Sequence, residues 1–201
     1  DTIWIKNVQD GVDIMLGRLA VELDAKNQTI ADDLGNSYKY EKLLIATGGT
    51  PRKLLFNTDD IIYFRNLDDY RRLRELTSQG SSFLVIGGGF IGWEIAAALS
   101  MNQKQVFMVF PEKTIGGRLY KENLGIFLNE YYRNHGVEVI TEDVIESITA
   151  QGAKKTVKTL GGREFTVDGI VAGIGIDPNI GLAESGGLRI ENGIYVDETL
   201  R

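Results

Sequence analysis

Ser82-Phe83-Leu84-Val85-Ile86-Gly87-Gly88-Gly89-Phe90-Ile91-Gly92 is the stretch on which the reading of the fold turns. Ser82–Ile86 is short, almost wholly apolar and bounded by glycine, as a strand buried on both faces is. The three glycines end it in a turn, and Phe90 to Met101 reads as a helix. Gln105–Phe110 then reads as a second buried strand. A strand, a helix and another strand of this kind imply a parallel sheet in an α/β protein.

The glycine spacing adds chemistry to this outline. In a Gly-x-Gly-x-x-Gly turn the first glycine, here Gly87, permits the tight bend. The second, Gly89, lets the backbone approach a pyrophosphate, and the third, Gly92, lets the helix pack closely on the strand. The helix start at Phe90 and Ile91 offers unpaired N–H groups and a positive dipole end to phosphates. The motif follows a strand and opens a helix, so it predicts a bound dinucleotide. Glu112 lies 20 residues after Gly92, just past the second strand. A carboxylate there accepts hydrogen bonds from the adenosine ribose and repels a 2′-phosphate. No arginine stands beside it in the sequence and Lys113 is the only nearby base, so the reading is NAD(H) over NADP(H). Glu94 reads as a first-turn residue of the helix, where compensation of the dipole is an alternative to a binding role. His135, the only histidine, precedes Gly136 at the end of another helix and reads as a capping residue.

Working outward, Asn66 predicts the cap of a helix over Leu67–Gln79, with Leu67, Tyr70, Leu73 and Leu76 as its buried stripe. Residues 52–65 read as a connection. A further helix is expected over Tyr120–Asn134, with Leu124, Phe127, Leu128 and Tyr131 inward, followed by a strand at Val137–Ile140. Val144–Ala150, Lys154–Leu160 and Glu164–Val167 read as an antiparallel meander with a turn at Gly161-Gly162. Gly169–Ile174 reads as another buried strand and Gly193–Val196 as a short one. Toward the start, Val12–Leu16, Leu19–Leu23, Thr29-Ile30 and Ser37–Tyr40 read as antiparallel strands, and Lys42–Ala46 as a strand buried on both faces.

The 201 residues are 43% hydrophobic and 25% charged, with a net charge of −6. No basic stripe stands ready to neutralise nucleic-acid phosphates, so no nucleic-acid partner is expected. No apolar run is long enough for a membrane span. Cysteine is absent, which excludes disulfides, thiolate metal sites and a Cys-x-x-Cys redox centre within these residues.

With these residues placed, a family resemblance emerges. Tyr40-Glu41-Lys42-Leu43-Leu44-Ile45-Ala46-Thr47-Gly48-Gly49-Thr50-Pro51-Arg52 resembles a strand and turn of the FAD-dependent pyridine nucleotide–disulfide oxidoreductases, and Leu84–Glu94 resembles their glycine loop. Phe110-Pro111-Glu112-Lys113 and Gly175-Ile176-Asp177-Pro178-Asn179 are similar to the branch holding apoptosis-inducing factor and the ferredoxin and rubredoxin reductases. The resemblance implies a doubly wound, Rossmann-type NAD-binding domain with an antiparallel meander, inserted into a truncated FAD-binding domain. Residues 1–50 would be the back of the first FAD-domain segment, 51–175 the NAD(H) domain and 176–201 the start of the return.

The resemblance also implies contacts. On the flavin side these are Val21, Ala46, Thr47, Gly48 and Arg65; on the NAD side, Gly88, Gly89, Phe90, Ile91, Glu112, Arg118 and Gly175, with Glu94 at the nicotinamide end. For Arg65 and Arg118 plain surface charge is the alternative. The implied activity is an NADH oxidoreductase that passes hydride to FAD and electrons to a carrier protein or quinone. A slowly turning NADH-responsive redox sensor is the alternative. A homodimer is the assembly to test, and the cytoplasm, or else the mitochondrion, is the expected compartment. The chain starts at Asp1 and lacks both the family's first flavin glycine motif and its later Gly-Asp motif, so a segment of a longer protein is expected.

Overall fold

A computed structural model describes residues 11–55 and 60–201. The chain divides into two compact units, one comprising Thr50–Asp177 and the other the residues up to Gly49 together with Pro178–Arg201. In chain order the first strands are β1 (Ala20–Asp24), β2 (Thr29–Asp32), β3 (Ser37–Lys39), β4 (Gly49–Pro51) and β5 (Ile61–Tyr63). Helix α1 (Leu67–Gln79) leads to β6 (Ser82–Ile86), α2 (Phe90–Met101), β7 (Gln105–Val109), α3 (Glu122–Asn134) and β8 (Val137–Ile140). Then come β9 (Ile145–Gln151), β10 (Lys154–Thr159), β11 (Glu164–Val167), β12 (Gly169–Ala172) and β13 (Ile176–Pro178). Helix α4 (Gly181–Ser185) and strands β14 (Ile190–Glu191) and β15 (Gly193–Ile194) close the sequence.

The larger unit is built on a five-stranded parallel sheet in the order β5-β12-β6-β7-β8. Side chains of a strand alternate between faces, and β6 shows the consequence. Phe83 and Val85 enter a core with Leu73 of α1 and Ile95, Ala96 and Leu99 of α2, against which Leu128 and Tyr132 of α3 also pack. Leu84 and Ile86 enter a second core with Val157 of β10 and Phe165 and Val167 of β11. Helices thus cover one face of the sheet, and the antiparallel meander β11-β10-β9 covers the other. Sealing both faces is why β6 reads as an unbroken apolar run. Truncating fully buried Phe83 to alanine would cost about 3–5 kcal/mol.

Helix α1 begins where Asn66 predicts. The Asn66 side chain accepts from the N–H groups of Asp68 and Asp69 at 2.9 and 3.0 Å, and the Asp69 carboxylate accepts from Asn66 N–H at 2.9 Å. This reciprocal cap is worth about 1 kcal/mol. His135 caps the end of α3, and its Nδ1 lies 2.7 Å from the carbonyl of Tyr131. In the smaller unit β1, β2 and β3 form an antiparallel sheet, and α4 packs on it through Gly186 against Leu23.

Several expectations fail. Val12–Leu16 forms no strand, and residues 52–65, read as a connection, contain edge strand β5. Lys42–Ala46 is neither a strand nor buried, and Leu44 is 88% exposed. Apolar composition supplies a preference for burial, but a strand also needs a neighbour to pair its backbone groups, and no described strand pairs with this segment. In α3 the inward residues are Gly125, Leu128, Asn129 and Tyr132, while Leu124, Phe127 and Tyr131 face outward. The polar Asn129 and Tyr132 win the inner face because each bonds there to a backbone group, described below. Glu94 lies beyond the first turn of α2, which holds no acidic residue. The dipole effect fades within that turn, so compensation does not account for Glu94.

Candidate functional site

The strand order decides where a site forms. From β6 the chain winds through α2, β7, α3 and β8 toward one edge, whereas β12 lies on the other side of β6. A crevice opens beyond the carboxyl ends of strands at such a reversal. It is a cavity of about 450 Å³ lined by the glycine turn after β6, the loop after β7 and the segment after β12. That volume lies within the range for small-molecule pockets.

Gly87 and Gly92 shape the turn together. Gly87 sits at φ +114°, where a side chain is strained, and its missing Cβ would strike the carbonyl of Gly173. A Cβ on Gly92 would strike the carbonyl of Gly87, so α2 can approach the turn only through glycine. At Gly89 nothing lies within 4 Å of where a Cβ would be, which leaves a cradle open to the cavity. Gly89 is also the N-cap of α2 and makes no side-chain capping bond. Where Asn66 and Asp69 close the start of α1, α2 has no such cap and its first residues line the cavity. Unpaired N–H groups and the dipole make this a place for an anion. The residues therefore fit a pyrophosphate.

The loop after β7 is held at three points. Asn129 of α3 accepts from the N–H of Ile115 at 2.9 Å and donates to the carbonyl of Lys113 at 3.0 Å. The N–H of Gly116 donates to the carbonyl of Gly88 at 2.8 Å. Tyr120 stacks on Trp93 of α2 with centroids 5.8 Å apart, and Tyr132 donates to the Trp93 carbonyl at 3.1 Å. This frame presents Glu112 and Arg118 to the cavity. Arg118 Nε lies 2.6 Å from Glu112 Oε1. The reading that no arginine stands beside Glu112 is thereby corrected, because the loop folds back over six positions of sequence. Arg52 and Arg65 also line the cavity, and Arg52 Nε pairs with Asp177 Oδ1 at 2.8 Å. Arg118 and Arg52 each face a carboxylate and Arg65 adds a third guanidinium to the lining, a net positive balance that suits an anionic ligand.

Of the residues singled out from sequence, Gly87, Gly88, Gly89, Phe90, Ile91, Glu112, Arg118, Gly175 and Arg65 line this one cavity. Arg65, a flavin-side residue by the family resemblance, also lines this cavity. Gly92 packs beneath the turn. Glu94 is exposed and outside the lining, and its charge helps to hold the Tyr132 phenol above its ordinary pKa, mainly a result of burial. Val21, Ala46, Thr47 and Gly48 belong to the smaller unit, on exposed positions. Sequence reading missed Arg52, Gly173 and Ile174 as lining residues and Asn129 as a support. Arg52 ends a motif already quoted, whereas Asn129 gave no signal among apolar neighbours.

The fold and the pocket thus define an α/β protein with a dinucleotide-type glycine turn at the switch point of a parallel sheet. The chain belongs to the pyridine nucleotide-disulphide oxidoreductase family, which matches residues 4–201 and whose members use FAD and NAD(P)H. It is 33% identical over 199 residues to the peroxisomal monodehydroascorbate reductase 1 of Arabidopsis thaliana, covering 94% of this chain and 46% of that protein. It is 33% identical over 181 residues to a nitric oxide reductase FlRd-NAD(+) reductase of Vibrio vulnificus, covering 89% of this chain and 47% of that one. Its structure resembles the ferredoxin reductase for the CYP199A2 system of Rhodopseudomonas palustris, with a TM-score of 0.84, 27% identity, and 91% and 46% of the two chains covered. The chain therefore spans less than half the length of these relatives. Among the described residues no helix is long and apolar enough to cross a membrane.

Proposed function

We propose that the cavity binds NAD(H), and that the protein is an NADH oxidoreductase of the branch that includes apoptosis-inducing factor and the ferredoxin reductases. The observation that carries this is the start of α2, which has no side-chain cap and borders the cavity at Gly89. In this arrangement the N–H groups of the first turn hold the pyrophosphate, and Glu112 receives the adenosine ribose. Gly173 and Gly175 admit the nicotinamide half between β6 and β12, and Arg52 and Arg65 balance the phosphate charge. NADH would supply a hydride and FAD, in the complete flavoprotein, would accept it. Residues 51–175 form the NAD(H) domain in this reading, with 1–50 and 176–201 belonging to the FAD domain. An electron-carrier protein is the proposed final acceptor, supported by the likeness to a ferredoxin reductase.

The test is calorimetric titration of the 201-residue chain with NADH, alongside tryptophan fluorescence. Saturable binding at one site, lost on Gly89→Glu, supports the reading. Absence of both heat and fluorescence change overturns it.

A further inference from the structure

We propose that the groove between α1 and α2 is a second ligand site, one that takes a small amphipathic carboxylate. The groove has a volume of about 660 Å³, larger than the cavity at the glycine turn and, like it, within the range for small-molecule pockets. Helix α2 starts at that turn, and its 12 residues extend about 18 Å from it. The groove is lined by Ile95, Ala98 and Leu99 of the later part of α2. It shares no lining residue with the coenzyme cavity, so the proposal is independent of the dinucleotide reading.

Charge and polarity set the class of ligand. The protein carries a net charge of −6, yet Arg74 and Lys104 line this groove and no acidic residue does. Neither cation forms an ion pair among the described residues. Arg74 Nη1 donates to Tyr70 Oη at 3.0 Å, which steadies the guanidinium over one helical turn and leaves its other N–H donors for a ligand. Lys104 Nζ donates to the carbonyl of Gly80 at 2.9 Å, and an ammonium has two further donors. Other carbonyls near the two helix ends are served from within. Gly80 N–H bonds to Leu76, Thr77 Oγ1 to Arg74, and Asn102 Nδ2 to Ala98. The helix ends thus draw on only one donor of the two cations. Beside these charges, Leu73, Ile95 and Leu99 bring core side chains to the lining, and Tyr70 adds a half-exposed ring. A bare anion would leave that apolar surface in water, and a bare hydrocarbon would leave the cations unanswered. A carboxylate matches the planar guanidinium fork and meets Lys104 as a point charge, while an apolar chain covers the floor.

Calorimetric titration of the 201-residue chain with octanoate, 1-octanol and inorganic phosphate tests this. Wild type is compared with Arg74→Gln, Ala98→Trp and Gly89→Glu, with circular dichroism to verify folding. Wild type is expected to saturate with octanoate at a Kd of about 1 mM or below, and to bind octanol and phosphate at least about tenfold more weakly. Arg74→Gln should weaken octanoate about tenfold, as loss of a charge-assisted hydrogen bond does. Ala98→Trp, at an exposed position, fills the groove and should abolish binding. Gly89→Glu changes the other cavity and should leave octanoate binding as it is. If Ala98→Trp does not fold, Ala98→Met serves in its place. The site is overturned if wild type does not saturate with octanoate, or if octanol or phosphate binds as tightly. It is also overturned if octanoate affinity survives both groove substitutions, or if Gly89→Glu removes it. Failure of NADH to bind overturns the dinucleotide reading alone and leaves this site standing.

Discussion

Thr47 and Asn179, 132 positions apart in sequence, exchange two hydrogen bonds: Thr47 Oγ1 donates to the carbonyl of Asn179 at 2.6 Å, and Asn179 Nδ2 donates to the carbonyl of Thr47 at 2.9 Å. The backbone N–H of Asn179 adds a third, to the carbonyl of Gly48 at 3.0 Å. Two separate words of the family resemblance are therefore one clasp in the smaller unit. Thr47→Ala or Asn179→Ala should each cost about 1 kcal/mol. The double variant should lose less than the sum, as partners in contact do. Urea denaturation of the four proteins measures this, and strictly additive losses would show that the two side chains do not act together.

Gly92→Ala sets two effects against each other. Alanine favours a helix interior over glycine by about 1 kcal/mol. The added methyl meets the Gly87 carbonyl, and such overpacking costs about 1–3 kcal/mol. Net destabilisation is expected, together with weaker NADH binding because the turn must shift. A variant as stable as wild type with unchanged affinity would remove Gly92 from the account of the turn.

Asn129→Leu tests the support beneath Glu112. The substitution keeps the side chain's bulk and removes both bonds to the loop, leaving the buried N–H of Ile115 without its acceptor. A loss of about 1–3 kcal/mol is expected. NADH affinity should fall as well, although Asn129 is absent from the cavity lining. Asn129→Asp, which still accepts from Ile115 but no longer donates to Lys113, should fall between the two. Equal affinity in all three proteins would separate Asn129 from the site.

Acid should loosen the smaller unit through Asp32. The Asn36 amide, against the cost of burial and with help from Tyr38 and the Leu34 N–H, lowers the Asp32 carboxyl from 3.8 to about 2. A depressed carboxylate pKa stabilises the fold fully above the unfolded value and ceases to do so as pH falls through the folded one. The contribution is thus lost between about pH 4 and about pH 2. Urea midpoints measured across that window should fall, and Asp32→Asn, weaker at neutral pH, should show a shallower decline. Superimposable acid profiles would assign the loss to other carboxylates. Asp168 is lowered in the same direction, chiefly by the Ser81 N–H, and adds to the decline in the larger unit.

The sequence by itself determined β6, the glycine turn, α2 and β7, down to nearly the last residue of each. It also determined the cap of α1 and the meander β9 to β11. These features are local: a buried strand shows as an apolar run, and a turn that lets backbone touch backbone tolerates only glycine, as at Gly87 and Gly92. Tertiary structure decided what depends on a distant partner. No described strand pairs with Lys42–Ala46, despite its apolar run. Tertiary structure rotated α3 so that Asn129 and Tyr132 reach backbone groups of neighbouring segments, which periodicity cannot foresee. Above all it folded the loop after β7 back on itself, and so set Arg118 against Glu112. The sequence shows a carboxylate with no arginine beside it. The fold supplies the guanidinium, because charge interactions depend on distance through space and five intervening residues are enough for a tight loop to bring the pair into contact.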